Sequence, residues 1–271
     1  MEVLLPLPNR PLLIPNPTTT TTTSLSSSSS SSSALPKRRR RPHHHHHRRC
    51  RFWAEVEEIR VCTNRTCRRQ GSLQTLETLT GLAPPSVAVS SCGCLGLCGA
   101  GPNLVALPGP VMVSHCGTAA RSAEVMVALC GPPWDSGVAK RSLEALALRK
   151  KAELEYDKRN FSQAELLLSQ AIELKPMGGI NIIYKDRSRT RLAMEKYPEA
   201  LEDAKEALLF TPQYAEAYIC QGDAFLAMSQ FDLAEKSYLT ALEIDPSIRR
   251  SKSFKARIVK LQEKLTSVNM P

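Results

Sequence analysis

Nine cysteines stand in this 271-residue chain, and eight of them fall between residues 50 and 130. Two pairs have spacings that carry chemistry. Cys62 and Cys67 read C-x₄-C, and Cys94 and Cys98 read C-x₃-C inside the stretch Cys92-Gly-Cys-Leu-Gly-Leu-Cys-Gly-Ala-Gly-Pro-Asn103. Four thiolates aimed at one point from two loops match a [2Fe–2S] cluster, which takes four Cys ligands. Gly93, Gly96, Gly99 and Gly101 let the backbone come close to the sulfurs, where its N–H groups can donate to them and tune a potential. Zinc is the competing reading of the same four thiols. No C-x₂-C occurs in the chain, which counts against a dithiol redox pair and against the usual zinc-knuckle spacing. Plant-type C-x₄-C-x₂-C spacing fails because Gln70 stands where the third Cys would be.

The other cysteines read differently. Cys92 is a fifth thiol beside the second pair, able to compete for the cluster or to form a disulfide when the cluster is lost. Cys116 and Cys130 read as small core residues, and Cys220 as packing within a helix. His115 precedes Cys116, but neighbours on a strand point to opposite faces, so the two are not read as a catalytic pair. Five of the six His form the run His43 to His47, which leaves His115 as the one imidazole of the body and argues against a Rieske centre or a His-rich zinc site.

Strand and helix signals alternate around the cysteines. Glu55–Val61 alternates polar and apolar residues as a half-buried strand does, and Ser86–Ser90 is a short β-branched run. Asn103–Leu107 and Val111–Ser114 read as strands flanking the turn Pro108-Gly109-Pro110. Leu73, Leu76, Leu79 and Leu82 mark a helix over 71–82, and Thr118–Leu129 reads as a closing helix. The outcome is a small α/β sandwich with both cysteine pairs in loops at strand ends. Residues 57–131 resemble the thioredoxin-like [2Fe–2S] ferredoxin family, which is related to the small cluster-carrying subunit of respiratory complex I. The resemblance rests on a Cys pair after the first strand, Gly71-Ser72 opening the helix, the C-L-G-x-C pair Cys94/Cys98, and Gly101-Pro-Asn103. It implies cluster ligands at Cys62, Cys67, Cys94 and Cys98.

The second half of the chain repeats. Ala164, Ala200 and Ala234 are separated by 36 and 34 residues, and Ala171/Ala207/Ala241, Pro176/Pro212/Pro246 and Phe161/Tyr197/Phe231 keep the same intervals. A period near 34 with small residues, a mid-repeat aromatic and a terminal Pro is the tetratricopeptide signature. Ala152, Ser188 and Gly222 occupy the small-residue position of that family's motif. Three repeats (145–178, 181–214 and 215–248) are followed by a polar closing helix, Arg249–Val268. One subtype of the family grips acidic chaperone C-termini with a clamp of Lys and Asn. Here Arg149 keeps the first charge, whereas Glu153, Asp186, Glu216 and Cys220 fill the remaining positions, so no acidic chaperone-tail clamp is expected. The concave face is expected to take a neutral or basic segment of a protein partner.

The net charge of +10 resembles a nucleic-acid signal until it is located. Residues 1–50 hold eight basic groups against Glu2, which leaves +3 for the body and speaks against a nucleic-acid partner. Residues 18–33 are Thr and Ser apart from Leu25, followed by Lys37–Arg41 and the His run. Hydroxyl-rich, Arg-rich and nearly acid-free composition suits a disordered transit peptide over 1–51, directing the chain to the chloroplast stroma, with the mitochondrion as alternative. No apolar run is long enough for an integral membrane segment.

These readings give an α/β thioredoxin-like domain (52–132), a linker (133–142) and an all-α TPR solenoid (143–268). The expected function is a plastid [2Fe–2S] electron carrier or redox sensor docked to a protein by its repeats. The alternative is a TPR scaffold or assembly factor in which the cluster is structural or transferred. No phosphate loop, Ser/His/Asp set or carboxylate pair marks the chain as an enzyme.

Overall fold

The computed structural model describes residues 56–132 and 134–268. The segment read as a transit peptide lies outside the described residues.

The first unit is a mixed four-stranded sheet. Its strands are β1 (Glu58–Cys62), β2 (Ala88–Cys92), β3 (Leu104–Leu107) and β4 (Val111–Val113), in spatial order β2-β1-β3-β4. β1 runs parallel to β2 and antiparallel to β3, and β3 pairs antiparallel with β4. The parallel pair needs a crossover, supplied by α1 (Arg65–Arg69) and α2 (Ser72–Leu82). After β4 comes α3 (Ala119–Cys130), whose Thr118 cap accepts from the Arg121 N–H at 3.1 Å. Ile59 and Val61 of β1 are wholly buried and join Leu104, Leu79, Leu82 and Met126 in one core, while Arg60 between them faces solvent.

Two details differ from the sequence reading. The leucine spacing predicts a buried stripe through Leu73, yet Leu73 is half exposed and the buried face runs through Ser72, Thr75, Thr78, Leu79 and Leu82. A strict three-residue spacing drifts around a helix of 3.6 residues per turn, so its two ends cannot share a face. Thr75 turns this buried polar position to use: its hydroxyl donates to the Cys116 carbonyl at 2.7 Å. The linker is the second difference. Asp135 caps α4 (Ser136–Asp157), accepting from the Val138 N–H at 2.7 Å, so most of 133–142 is the first turns of a 22-residue helix.

The repeats follow as antiparallel pairs: α4 with α5 (Phe161–Glu173), α6 (Ile180–Ala193) with α7 (Tyr197–Phe210), and α8 (Ala215–Ala227) with α9 (Phe231–Ile244), closed by α10 (Lys252–Val268). This C-terminal part is a TPR-like helical solenoid. Ala164, Ala200 and Ala234, wholly buried, let helices approach closely, and a β-carbon at Gly222 would press into the Tyr238 ring. The turns between paired helices repeat as well: Arg159, Glu195 and Ser229 hold left-handed φ of 63°, 62° and 61°. Between α6 and α7 lies a buried ionic cluster, in which Asp203 accepts from Arg187 Nη2 at 2.7 Å and pairs with Arg191 Nη1 at 3.0 Å.

The two parts share α4. Trp134, Ala139 and Leu146 lie in the core of the sheet unit, while Ala145 and Ala152 lie in that of the first repeat. The turn before α6 presses on the end of α2. A β-carbon on Gly178 would run into the Leu82 carbonyl, and Gly179 (φ +68°) sits against the Gly81 carbonyl. Gly178→Ala is therefore expected to destabilise the chain by about 2 kcal/mol through overpacking. A thermal melt of the variant checks this, and an unchanged midpoint would contradict the contact.

Candidate functional site

Cys62 ends β1, and Cys67 lies in α1 immediately after it; both are 1% exposed. Asn64 starts the helix between them, its side-chain oxygen accepting from the Arg65 N–H at 2.6 Å. This cap turns the chain so that the two thiols lie close enough to act on each other's ionisation. Cys94 and Cys98 lie after β2 in an exposed loop, with sulfurs 3.5 Å apart. The loops meet. The backbone N–H groups of Asn64 and Leu95 favour a Cys62 thiolate, and the Thr66 hydroxyl favours a Cys98 thiolate. Asn103 donates through Nδ2 to Cys67 Sγ at 3.7 Å and to the Leu97 carbonyl at 2.6 Å, pinning the second loop over the first. The Gly96 N–H donates to Cys94 Sγ at 3.4 Å, from a residue with φ +86°.

The thiols act on each other's ionisation. Burial opposes charge on Cys62, but the donors from Asn64 and Leu95 and the Cys67 thiol outweigh it and hold Cys62 below its ordinary value. Cys67 is pushed up by burial and by Cys62, and Cys98 by the hydrogen bond and charge of Cys94. Within each pair, then, one thiolate hinders the next. A bound cation removes that obstacle, because metal ligands must be deprotonated.

The thiols can be compared with the demands of a two-iron cluster. Among the described residues, no three Cys, His, Asp or Glu side chains are grouped closely enough to hold a metal ion as they stand. The thiols come as two pairs, and a [2Fe–2S] cluster takes two thiolates per iron. Gly101 completes the cradle, since a β-carbon there would stand 2.9 Å from Cys67 Sγ.

The remaining cysteines sit outside this set, except for Cys92. That residue is the register partner of Cys62 across β1 and β2, and burial raises its pKa. Cys116 is wholly buried, and burial pushes Cys130 up to about 11 and Cys220 up to about 12. His115 lies in the loop after β4 with φ 59°, exposed, whereas Cys116 turns into the core. Sequence reasoning missed α1. Asn64 before a short basic run was its one local signal.

The groove of the solenoid has its own electrostatics. Arg149 pairs with Asp186 at 3.3 Å, Lys185 reaches the same carboxylate, and the Arg189 guanidinium lies 4.0 Å over the Tyr156 ring.

No family model matches the chain. The segment of 110 residues that is 30% identical to "Protein STIP1 homolog" of Dictyostelium discoideum covers 41% of this chain and 19% of that protein. "Heat shock protein STI1" of Saccharomyces cerevisiae is 29% identical over 111 residues, again 41% of this chain and 19% of the relative. The matched segment thus spans about a fifth of these relatives. The solved structure "First TPR of Spaghetti (RPAP3) bound to HSP90 peptide SRMEEVD" is 20% identical, with TM-score 0.41, covering 45% of this chain and 94% of that one. The expectation that the repeats lack an acidic chaperone-tail clamp is corrected by this likeness to "Heat shock protein STI1". Lys185 and Arg189 of α6 lie outside the five clamp positions and add two cations beside Asp186 and Tyr156.

The placement of the thiols predicts their reactivity. In metal-free protein at pH 8, iodoacetamide should label Cys94 and Cys98 within minutes. Cys130 and Cys220 should stay unlabelled until the chain unfolds, because a pKa of about 11 or 12 leaves a thiolate fraction of roughly 10⁻³ to 10⁻⁴. Mass mapping of the labelled peptides reads this out, and early labelling of Cys220 would contradict its burial.

Proposed function

We propose that this chain is a non-enzymatic scaffold: its repeat groove docks a protein partner, and the α/β unit fixed to it carries a [2Fe–2S] cluster. The observation that carries the scaffold reading is the solenoid, whose relatives include heat-shock and STIP1-type proteins. Acidic chaperone C-termini are the first ligand class to test, with Arg149, Lys185 and Arg189 as the recognising cations. Asp186 occupies two of these cations, so an incoming carboxylate must compete with it.

Cys62, Cys67, Cys94 and Cys98 would hold the cluster. The two thiol pairs, the N–H donors to sulfur and the sheet order β2-β1-β3-β4 support the resemblance to thioredoxin-like ferredoxins. When bound, such a cluster supplies one-electron chemistry. The chain's own residues orient the sulfurs, donate to them and, through Asn103, lock the exposed loop over the buried pair. A second reading, electron carrier rather than scaffold, is favoured by the exposure of Cys94 and Cys98. The Ser/Thr- and Arg-rich composition of residues 1–51 supports import into the chloroplast.

Two measurements test these readings. Titration with the peptide SRMEEVD should show saturable binding that Arg149→Ala weakens. Asp186→Asn should tighten it by roughly fivefold, near 1 kcal/mol, because the variant frees two cations. If the peptide does not bind either protein, the acidic-tail reading fails. Iron, acid-labile sulfide and zinc analysis of anaerobically purified protein should give two irons and two sulfides per chain. Cys94→Ser or Cys62→Ser should abolish the visible charge-transfer absorption, while Cys116→Ser keeps it. Zinc without sulfide would overturn the cluster.

A further inference from the structure

The surface beside the exposed cysteine loop is unusually one-signed. Between Ile59 and Ala123 the sequence holds Arg60, Arg65, Arg68, Arg69 and Arg121 against a single acid, Glu77. Glu77 is already taken by Lys150 at 3.0 Å. Arg60 is satisfied by Glu58 at 2.7 Å, and Arg121 by Glu124 at 2.9 Å. Arg65, Arg68 and Arg69 are exposed, and among the described residues none of the three has an acidic partner. They line an open recess with Thr63. The recess adjoins the cysteine loop, because α1 packs against the turn Cys98–Ala100. Leu97 stands 45% exposed between Cys94 and Cys98. The surface thus combines an apolar tip, an exposed thiol pair and an uncompensated triplet of guanidinium groups.

We propose that this rim is a docking surface for a protein with an acidic face, which the arginines of α1 steer and orient while Leu97 and the Cys94–Cys98 edge make the central contact. The charge complementarity fixes the sign of the partner. Arginine offers planar, bidentate recognition of carboxylates, and a one-signed patch raises encounter rates with an acidic surface. The extent of the patch selects a protein over a nucleic acid. Three arginines are few beside the roughly 6–10 phosphate contacts typical of nucleic-acid binders, and an exposed Leu suits the apolar centre of a protein interface. The proposal rests on the cluster reading for what such a partner would do there, but the surface itself stands on arginines and exposure alone.

The test uses the full chain and an acidic probe: a dodecapeptide of alternating Asp and Glu, amidated at its C-terminus and carrying a diazirine photo-crosslinker. Crosslinks mapped by mass spectrometry should fall in residues 63–69 and 94–98. Arg65→Glu/Arg68→Glu/Arg69→Glu should reduce them at least about fivefold, as should raising the salt from about 20 to about 300 mM, which shortens the screening length well below 10 Å. The neutral set Arg65→Gln/Arg68→Gln/Arg69→Gln, matched in thermal melting to the wild type, should give the same loss. Lys264→Glu on α10 should change nothing at the rim. Crosslinks confined to the repeats or to residues 37–49, or rim crosslinks that survive charge reversal, would overturn the proposal. Stronger competition by a single-stranded 12-mer DNA than by unlabelled peptide would overturn it in favour of nucleic acid. Iron and sulfide measured on the same preparations keep the two ideas apart. Wild-type protein without iron would end the cluster reading while leaving the crosslinking result to decide the surface.

Discussion

Everything in this molecule hangs on one helix packed into two cores. α4 buries Ala139 and Leu146 against the sheet unit and Ala145 and Ala152 against the first repeat. Consecutive positions such as Ala145 and Leu146 lie about 100° apart on a helix, so a single helix can serve two faces without a break. The Gly178–Gly179 turn fastens the same junction from the far side of the repeat, backbone against backbone, at the end of α2. Only residues without a side chain permit that approach. The cysteine loops and the first repeat are consequently joined through one shared helix. A tether would raise local concentration, whereas a shared helix fixes orientation as well.

The parts of this arrangement that depend on local or periodic information were legible in the sequence. Repeat intervals of 36 and 34 residues located all three helical pairs, because each repeat must present the same small residues to its neighbour. The strand at β1 was visible from Ile59 and Val61 flanking Arg60. The parts that depend on tertiary context were not. Gly131-Pro-Pro-Trp-Asp-Ser-Gly137 has linker composition, yet Trp134 enters the core and Asp135 caps a helix. The same Asp that reads as a turn residue is a good N-cap, and only the burial of Trp134 decides between them. The thiol pairs were legible as spacing, but their mutual approach depends on Asn64 and Asn103, whose side chains do their work across 36 residues of sequence in the case of Asn103 and Cys67.

The two proposed acidic-ligand sites would work in different ways. In the groove, Arg149 and Lys185 already hold Asp186, so an acidic ligand gains only the difference between its own carboxylate and that of Asp186. Such a site discriminates by geometry, since a ligand that does not replace the hydrogen bonds of Asp186 gains nothing. At the rim, Arg65, Arg68 and Arg69 have no carboxylate partner among the described residues. Their attraction is fully available to an approaching surface and is correspondingly unselective and salt-sensitive. Steering without selectivity at the rim and selectivity without much steering in the groove are complementary. On the proposed readings, the groove would decide which protein stays, while the rim would govern how quickly an acidic surface reaches the exposed thiol edge. Because α4 holds both in a single frame, an acidic partner that satisfies the two together is favoured over one that satisfies either alone.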